Sequence, residues 1–230
     1  MDNLTLHERI IGSNDWATVL FVFCFAVIAV NRTVFQARYA EFIKLAWSDK
    51  YTKIYKESGN IQSWFTISFF IVQVISYTFL LQFVLIYLEK NREGFTGTVS
   101  RFEGFLSFIQ FFTIIFTFIL GKYLVEKIIA TSFNIEEFNE QFNLHKVNYR
   151  AYIGLVLLPV NVVLFYNLTP RAWVLYIILG LIGAAGVLSY IISLRIYQKL
   201  ILSKLFYFIL YLCALEIAPY FFLYYWFTNS

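Results

Sequence analysis

Apolar residues gather into six runs along this chain, parted by short segments that hold most of the charge. The runs are Trp16–Val30, Ile61–Leu88, Phe102–Gly121, Ala151–Leu168, Trp173–Leu194 and Leu200–Phe227. A helix needs about 20 apolar residues to cross a bilayer, within a range of about 17–25. The second, third, fifth and sixth runs meet that length. The fourth is borderline, and the first needs flanking residues to reach it. The second run would measure roughly 42 Å as a helix and must tilt or protrude. The pattern therefore predicts spans at about 16–32, 61–88, 102–121, 151–168, 173–194 and 200–227.

Two connecting segments keep a helical period of their own. In 34–57, Phe35, Tyr39, Phe42, Ile43, Ala46, Trp47, Tyr51, Ile54 and Tyr55 recur at helical spacing. Lys and Arg fill much of the other face. This predicts an amphipathic helix at a membrane surface, with Ser48 and Asp49 placed to cap a second helix and bend it. Segment 122–150 is similar but more acidic. There, Asn134 followed by Glu136 and Glu137 reads as a helix start. Both helices are read as a cover for the bundle floor or as a docking surface for a partner.

Lys and Arg set the orientation. The segments between runs one and two, three and four, and five and six carry thirteen of them, and the alternate segments carry five. The prediction is a cytoplasmic side for the thirteen and both termini on the opposite side. Trp16, Trp64, Trp173 and Trp226 fall near span ends, as an aromatic belt requires.

Composition strengthens this reading. The 230 residues are 60% hydrophobic, 21% aromatic and 14% charged, and mean hydropathy is +0.68. Soluble domains are about 45–50% apolar and about 25% charged. The net charge of +4 lies outside the apolar runs and reads as topology, so no nucleic-acid partner is expected. Cys24 and Cys213 sit inside apolar runs and read as small buried hydrophobes. The first run lacks a basic leader and a small-residue cleavage site, and is expected to stay in the mature protein.

Candidate chemistry is sparse. Glu216 stands in an apolar and aromatic run, twelve residues past Lys204. A carboxylate at such depth costs roughly 2.5–3.5 kcal/mol on insertion scales, so it is expected to be protonated, paired or functional. Gln73, Gln110 and Asn161 are predicted to lie in about the same slab, forming an intramembrane polar cluster with Glu216. The cluster is structural, partner-binding or a proton relay. Pro159 and Pro219 are expected to break their helices. Gly180, Gly183, Ala184 and Gly186 form a close-packing face, within the bundle or between subunits. His7 and His145 lie outside the runs and far apart, and no zinc-hydrolase spacing, serine elbow or intramembrane Asp pair is present. No enzyme activity, metal or cofactor is expected.

Two stretches carry a resemblance. The YLCALEIAPY sequence at 211–220 is one. The other is the opening Asn14, Asp15 and Trp16 before a short span and a basic amphipathic segment. Together they resemble an uncharacterised family of multi-pass inner-membrane proteins from Bacteroidota, over nearly the whole chain. The resemblance implies a bacterial inner membrane and a single helical domain, and supplies no activity. An accessory role in a secretion or envelope complex follows from association alone.

The expectation is an all-α integral membrane bundle of six transmembrane helices, with two cytoplasmic amphipathic interfacial helices. The expected function is that of a non-enzymatic subunit or assembly factor of a membrane complex. Its expected partners are the lipid bilayer and another membrane protein or a second copy of the chain. The alternative is a small proton-coupled transporter or channel using Glu216. Retention of function in Glu216→Gln separates the first from the second.

Overall fold

A computed structural model describes residues 15–44, 64–91, 104–132, 136–166 and 172–196. Among these residues there are six helices and no strand: α1 (Asp15–Val34), α2 (Gln36–Ile43), α3 (Trp64–Lys90), α4 (Phe105–Ser132), α5 (Glu136–Tyr166) and α6 (Ala172–Ile196). Four of these helices contain a stretch long and apolar enough to cross a membrane, namely α1, α3, α4 and α5. In α6 the apolar stretch Trp173–Leu188 is shorter.

Local chemistry accounts for the ends. Asp15 in the first turn of α1 and Arg32 in its last turn both complement the helix dipole. Phe35 takes φ −118° and ψ 47°, which interrupts the helical repeat and lets the chain turn from α1 into α2. Gly104, just before α4, has φ +109°, a conformation open to glycine and strained for other residues.

Ring contacts give the packing directions. Near one end, Phe79 of α3 stacks on Phe21 of α1 (centroids 4.4 Å apart) and meets Phe108 of α4 (4.7 Å) and Phe165 of α5 (5.8 Å). Trp16 stacks on the same ring at 5.8 Å. At the other end, Phe42 of α2 packs on Phe65 and Phe69 of α3, with Ala151 of α5 in the same buried cluster. Helix α3 thus runs antiparallel to α1 and α4 and parallel to α5, and touches all three. Tilted and edge-on aromatic pairs of this kind each contribute about 0.5–1.5 kcal/mol beyond their area.

One expectation about the helices changes. Segment 122–150 is not a separate interfacial helix. Helix α4 continues through Gly121 to Ser132, and α5 runs unbroken from Glu136 into the expected fourth span. One glycine costs a helix only about 1 kcal/mol, and nothing between Arg150 and Ala151 stops one. Phe116 of α4 meets Phe70 of α3, so in this register the last ten or so residues of α4 extend past the start of α3. Of the segment expected at 34–57, α2 covers Gln36–Ile43, and residues 45–63 lie outside the described residues. The expected sixth span, 200–227, also lies outside them.

Candidate functional site

Helix α3 is apolar around most of its circumference, yet it buries Thr66, Gln73, Ser76, Thr78 and Gln82. Gln73, Ser76 and Gln82 lie at its crossings with its neighbours, while the Thr78 hydroxyl donates to Val74 O of its own helix. At the α1 crossing, the Asn31 side-chain amide donates to Ser68 Oγ (2.8 Å) and to its own helix at Val27 O (2.8 Å). The Ser68 hydroxyl lies within reach of Asn31 Oδ1 (3.1 Å) and Phe65 O (2.9 Å). At the entry to α4, Gln82 Nε2 donates to the Gly104 carbonyl at 3.1 Å.

The α3–α5 crossing is the tightest of these. Asn161 is 3% exposed and donates through Nδ2 to the Ser76 carbonyl at 2.7 Å. Gln73, 2% exposed, lies one turn earlier, against Gly154 of α5. Gln73 Oε1 and Ser76 Oγ find no hydrogen-bond partner among the described residues. In a bilayer, hydrogen bonds between helices average about 0.6 kcal/mol and reach about 1.7 kcal/mol. The crossing therefore owes more to close backbone approach than to any one bond.

The expected polar cluster is only partly assembled. Gln73 and Asn161 share one buried seam, one helical turn apart in register. Gln110 lies on an exposed face of α4, away from that seam. Glu216 and Pro219 lie outside the described residues. Helix α5 runs continuously through Pro159, whose ring lies on an exposed face. The break expected there amounts to one missing backbone donor, because proline removes a single N–H without ending the helix. Among the described residues, nothing lies within 4 Å of a Cβ added at Gly180, Gly183 or Gly186 of α6, and Ala184 beside them is exposed.

Sequence reasoning missed Asn31, Ser68, Ser76, Gln82 and Gly154. Asn31 reads as the polar edge of a span, although a residue there can still face the next helix. Gly154 sits seven residues before Asn161, on nearly the same helical face, and that spacing was the available signal. Among the described residues, no three His, Cys, Asp or Glu side chains come together as a metal site.

Residues 17–227 match the family model described as a domain of unknown function (DUF4271). The chain belongs to this family. The DUF4271 match takes in the residues of the α1–α3, α3–α4 and α3–α5 crossings described above except Trp16, and Glu216 as well. It agrees with the resemblance to an uncharacterised family over nearly the whole chain. No curated protein and no solved structure matches the chain.

Proposed function

We propose that this DUF4271 protein is a non-enzymatic, multi-pass protein of a bacterial inner membrane that serves as a subunit or assembly factor of a membrane complex. Secretion or envelope biogenesis in a member of the Bacteroidota is the setting that the sequence resemblance favours. In this reading the chain crosses six times, both termini are periplasmic, and the end of the bundle that carries Arg32, Arg38, Lys122 and Lys127 faces the cytoplasm. The amphipathic segment that begins with α2 at that end serves as an interfacial or docking surface.

The observation that carries the reading is the use made of polar side chains within the bundle. Asn31 and Asn161 each tie two helices together, the first through Ser68 and the second through the Ser76 carbonyl. Polar groups used to fasten helices support a scaffold role. The glycine face of α6, open over Gly180, Gly183 and Gly186 among the described residues, offers a close-approach seat for a further helix.

Purification of the full chain from its native membrane in mild detergent tests the proposal. The expected result is a stoichiometric membrane partner that is lost in Gly183→Leu while the chain keeps its melting temperature. A lone monomer or a simple homodimer, with no partner at any detergent strength, overturns the subunit reading. A proton flux in reconstituted vesicles, abolished by Glu216→Gln, would replace it with the transporter reading.

A further inference from the structure

Helix α4 turns its rings to the bundle and a polar stripe away from it. Phe108 and Phe116 meet Phe79 and Phe70 of α3, at 4.7 Å and 6.0 Å. On the opposite side Gln110, Thr113 and Thr117 follow at i, i+3 and i+7, all exposed. Gly121 continues the stripe, with nothing within 4 Å of an added Cβ among the described residues. The Thr113 hydroxyl is satisfied by Ile109 O of its own helix at 2.8 Å. Gln110 holds no hydrogen bond among the described residues.

Lipid cannot supply one. Hydrocarbon offers no hydrogen-bond partner, so a polar side chain at depth turns to another helix. The depth can be counted. Phe116 pairs with Phe70, so Lys122, six residues on, lies level with Trp64, six residues before, where antiparallel α3 begins. Trp settles at headgroup depth. Gln110 is twelve residues from Lys122, and hence about 18 Å into the bilayer.

Glu216 is twelve residues past Lys204, the last cation before its apolar stretch, and a helical crossing puts it at the same depth. The chemistry is complementary as well as level. A neutral carboxyl and a side-chain amide each offer one donor and one acceptor to the other, so the pair closes two hydrogen bonds. Gln73, the other buried amide with an unmet acceptor, is closed off by α5 at Gly154 and leaves a further helix no approach. Reach is sufficient. Helix α5 touches both α6 and α4. Axes of packed helices lie about 8–10 Å apart, so α4 is at most about 20 Å from α6. The eight residues from Ile196 to Lys204 span up to about 26 Å.

We propose that run 200–227 packs antiparallel along the open face of α4, with an uncharged Glu216 hydrogen-bonded to Gln110. The inference rests on the six-crossing reading given above and assigns Glu216 the fastening role within it. The register follows from the pair. Cys213 precedes Glu216 by three residues and Thr113 follows Gln110 by three, so the two are level on facing helices. The competing seat is the glycine face of α6. There Gly186, nine residues before Arg195, is level with Cys213, nine residues after Lys204.

The test is disulfide trapping in native membranes of the full chain, with Cys24→Ala leaving Cys213 as the one native thiol. Thr113→Cys and Gly186→Cys are introduced separately, both at exposed positions. Copper phenanthroline is the oxidant, and linked peptides are read by mass spectrometry on monomer and dimer bands. Thr113→Cys is expected to link to Cys213 within one chain, several-fold more than Gly186→Cys. Adding Glu216→Leu to Thr113→Cys lowers that linkage several-fold, whereas adding Glu216→Gln, which keeps a donor and an acceptor, preserves it. Equal or greater linkage at Gly186→Cys overturns the proposal. So does linkage through Thr113→Cys between two chains, or linkage unaffected by Glu216→Leu. Accessibility of a C-terminal tag in sealed vesicles separates the two levels of argument. A tag on the cytoplasmic side overturns the six-crossing reading, and a periplasmic tag without the Thr113→Cys linkage overturns this proposal alone.

Discussion

A Cβ placed on Gly154 would lie 2.7 Å from the Cα of Gln73, a separation that real side chains essentially never adopt. The two backbones, α5 and α3, meet there with only hydrogens between them. The obstacle is backbone rather than the tip of a flexible side chain, so it cannot swing aside. Gly154→Ala is expected to push the helices apart and lower stability by about 1–3 kcal/mol, the usual cost of overpacking. Thermal unfolding in detergent measures it. An unchanged melting temperature would mean that the helices do not cross at this point. Gly183→Ala, with open space around it among the described residues, serves as the matched control and is expected to melt like wild type.

Asn161 and Gln73 are both buried polar residues in the same seam, and they are expected to respond oppositely to substitution. Asn161→Leu removes the donor to the Ser76 carbonyl and should cost about 0.6–1.7 kcal/mol. Gln73 Oε1 has no partner among the described residues, so Gln73→Leu removes a buried acceptor that nothing satisfies. Its effect should lie between neutral and mildly stabilising. Equal losses in the two variants would show that Gln73 holds a partner outside the described residues.

Asn31 and Ser68 join α1 to α3, and their coupling can be isolated. Asn31→Ala, Ser68→Ala and the double variant make a cycle in which the double loses less than the sum of the singles. The expected coupling is about 0.6–1.7 kcal/mol by unfolding in detergent. A coupling of zero would mean that α1 is held by Trp16, Phe21 and the rings around Phe79 alone.

Much of the fold was legible in the sequence because apolar length is a strong signal. The runs at 61–88 and 173–194 match the bounds of helices α3 and α6 to within a few residues at each end, and α3 is long and apolar enough to cross a membrane while the apolar stretch of α6 is shorter. The loops were harder. Segment 122–150 has a helical period and charges, which describe an interfacial helix and the extended end of a spanning helix equally well. Nothing in the period fixes the direction of a helix axis. The polar site was half legible for a related reason. Depth along a run can be counted, which brought Gln73 and Asn161 to one level. The face a residue presents depends on which neighbour lies there, and the same count placed Gln110 with them although it lies on the exposed side of α4. The tight crossing escaped because its one signal, the seven-residue spacing of Gly154 and Asn161, is faint, whereas the glycine-rich 180–186 stretch is conspicuous yet open among the described residues.

Glu216 separates the two functional readings. It lies in an apolar run, where a charged carboxylate costs roughly 2.5–3.5 kcal/mol, so a residue of that kind is kept neutral, paired or in use. If it fastens helices or subunits, Glu216→Gln keeps the size and the hydrogen-bonding capacity and should preserve both partner co-purification and melting temperature. Glu216→Leu keeps neither group and should lower the melting temperature or release the partner. If the residue carries protons, glutamine cannot replace it, because an amide does not titrate. Glu216→Gln would then abolish flux while the protein still folds and assembles. Measuring partner retention, melting temperature and proton flux on both variants gives a distinct pattern for each reading. Loss of flux in Glu216→Gln with stability intact would overturn the scaffold function proposed for this chain.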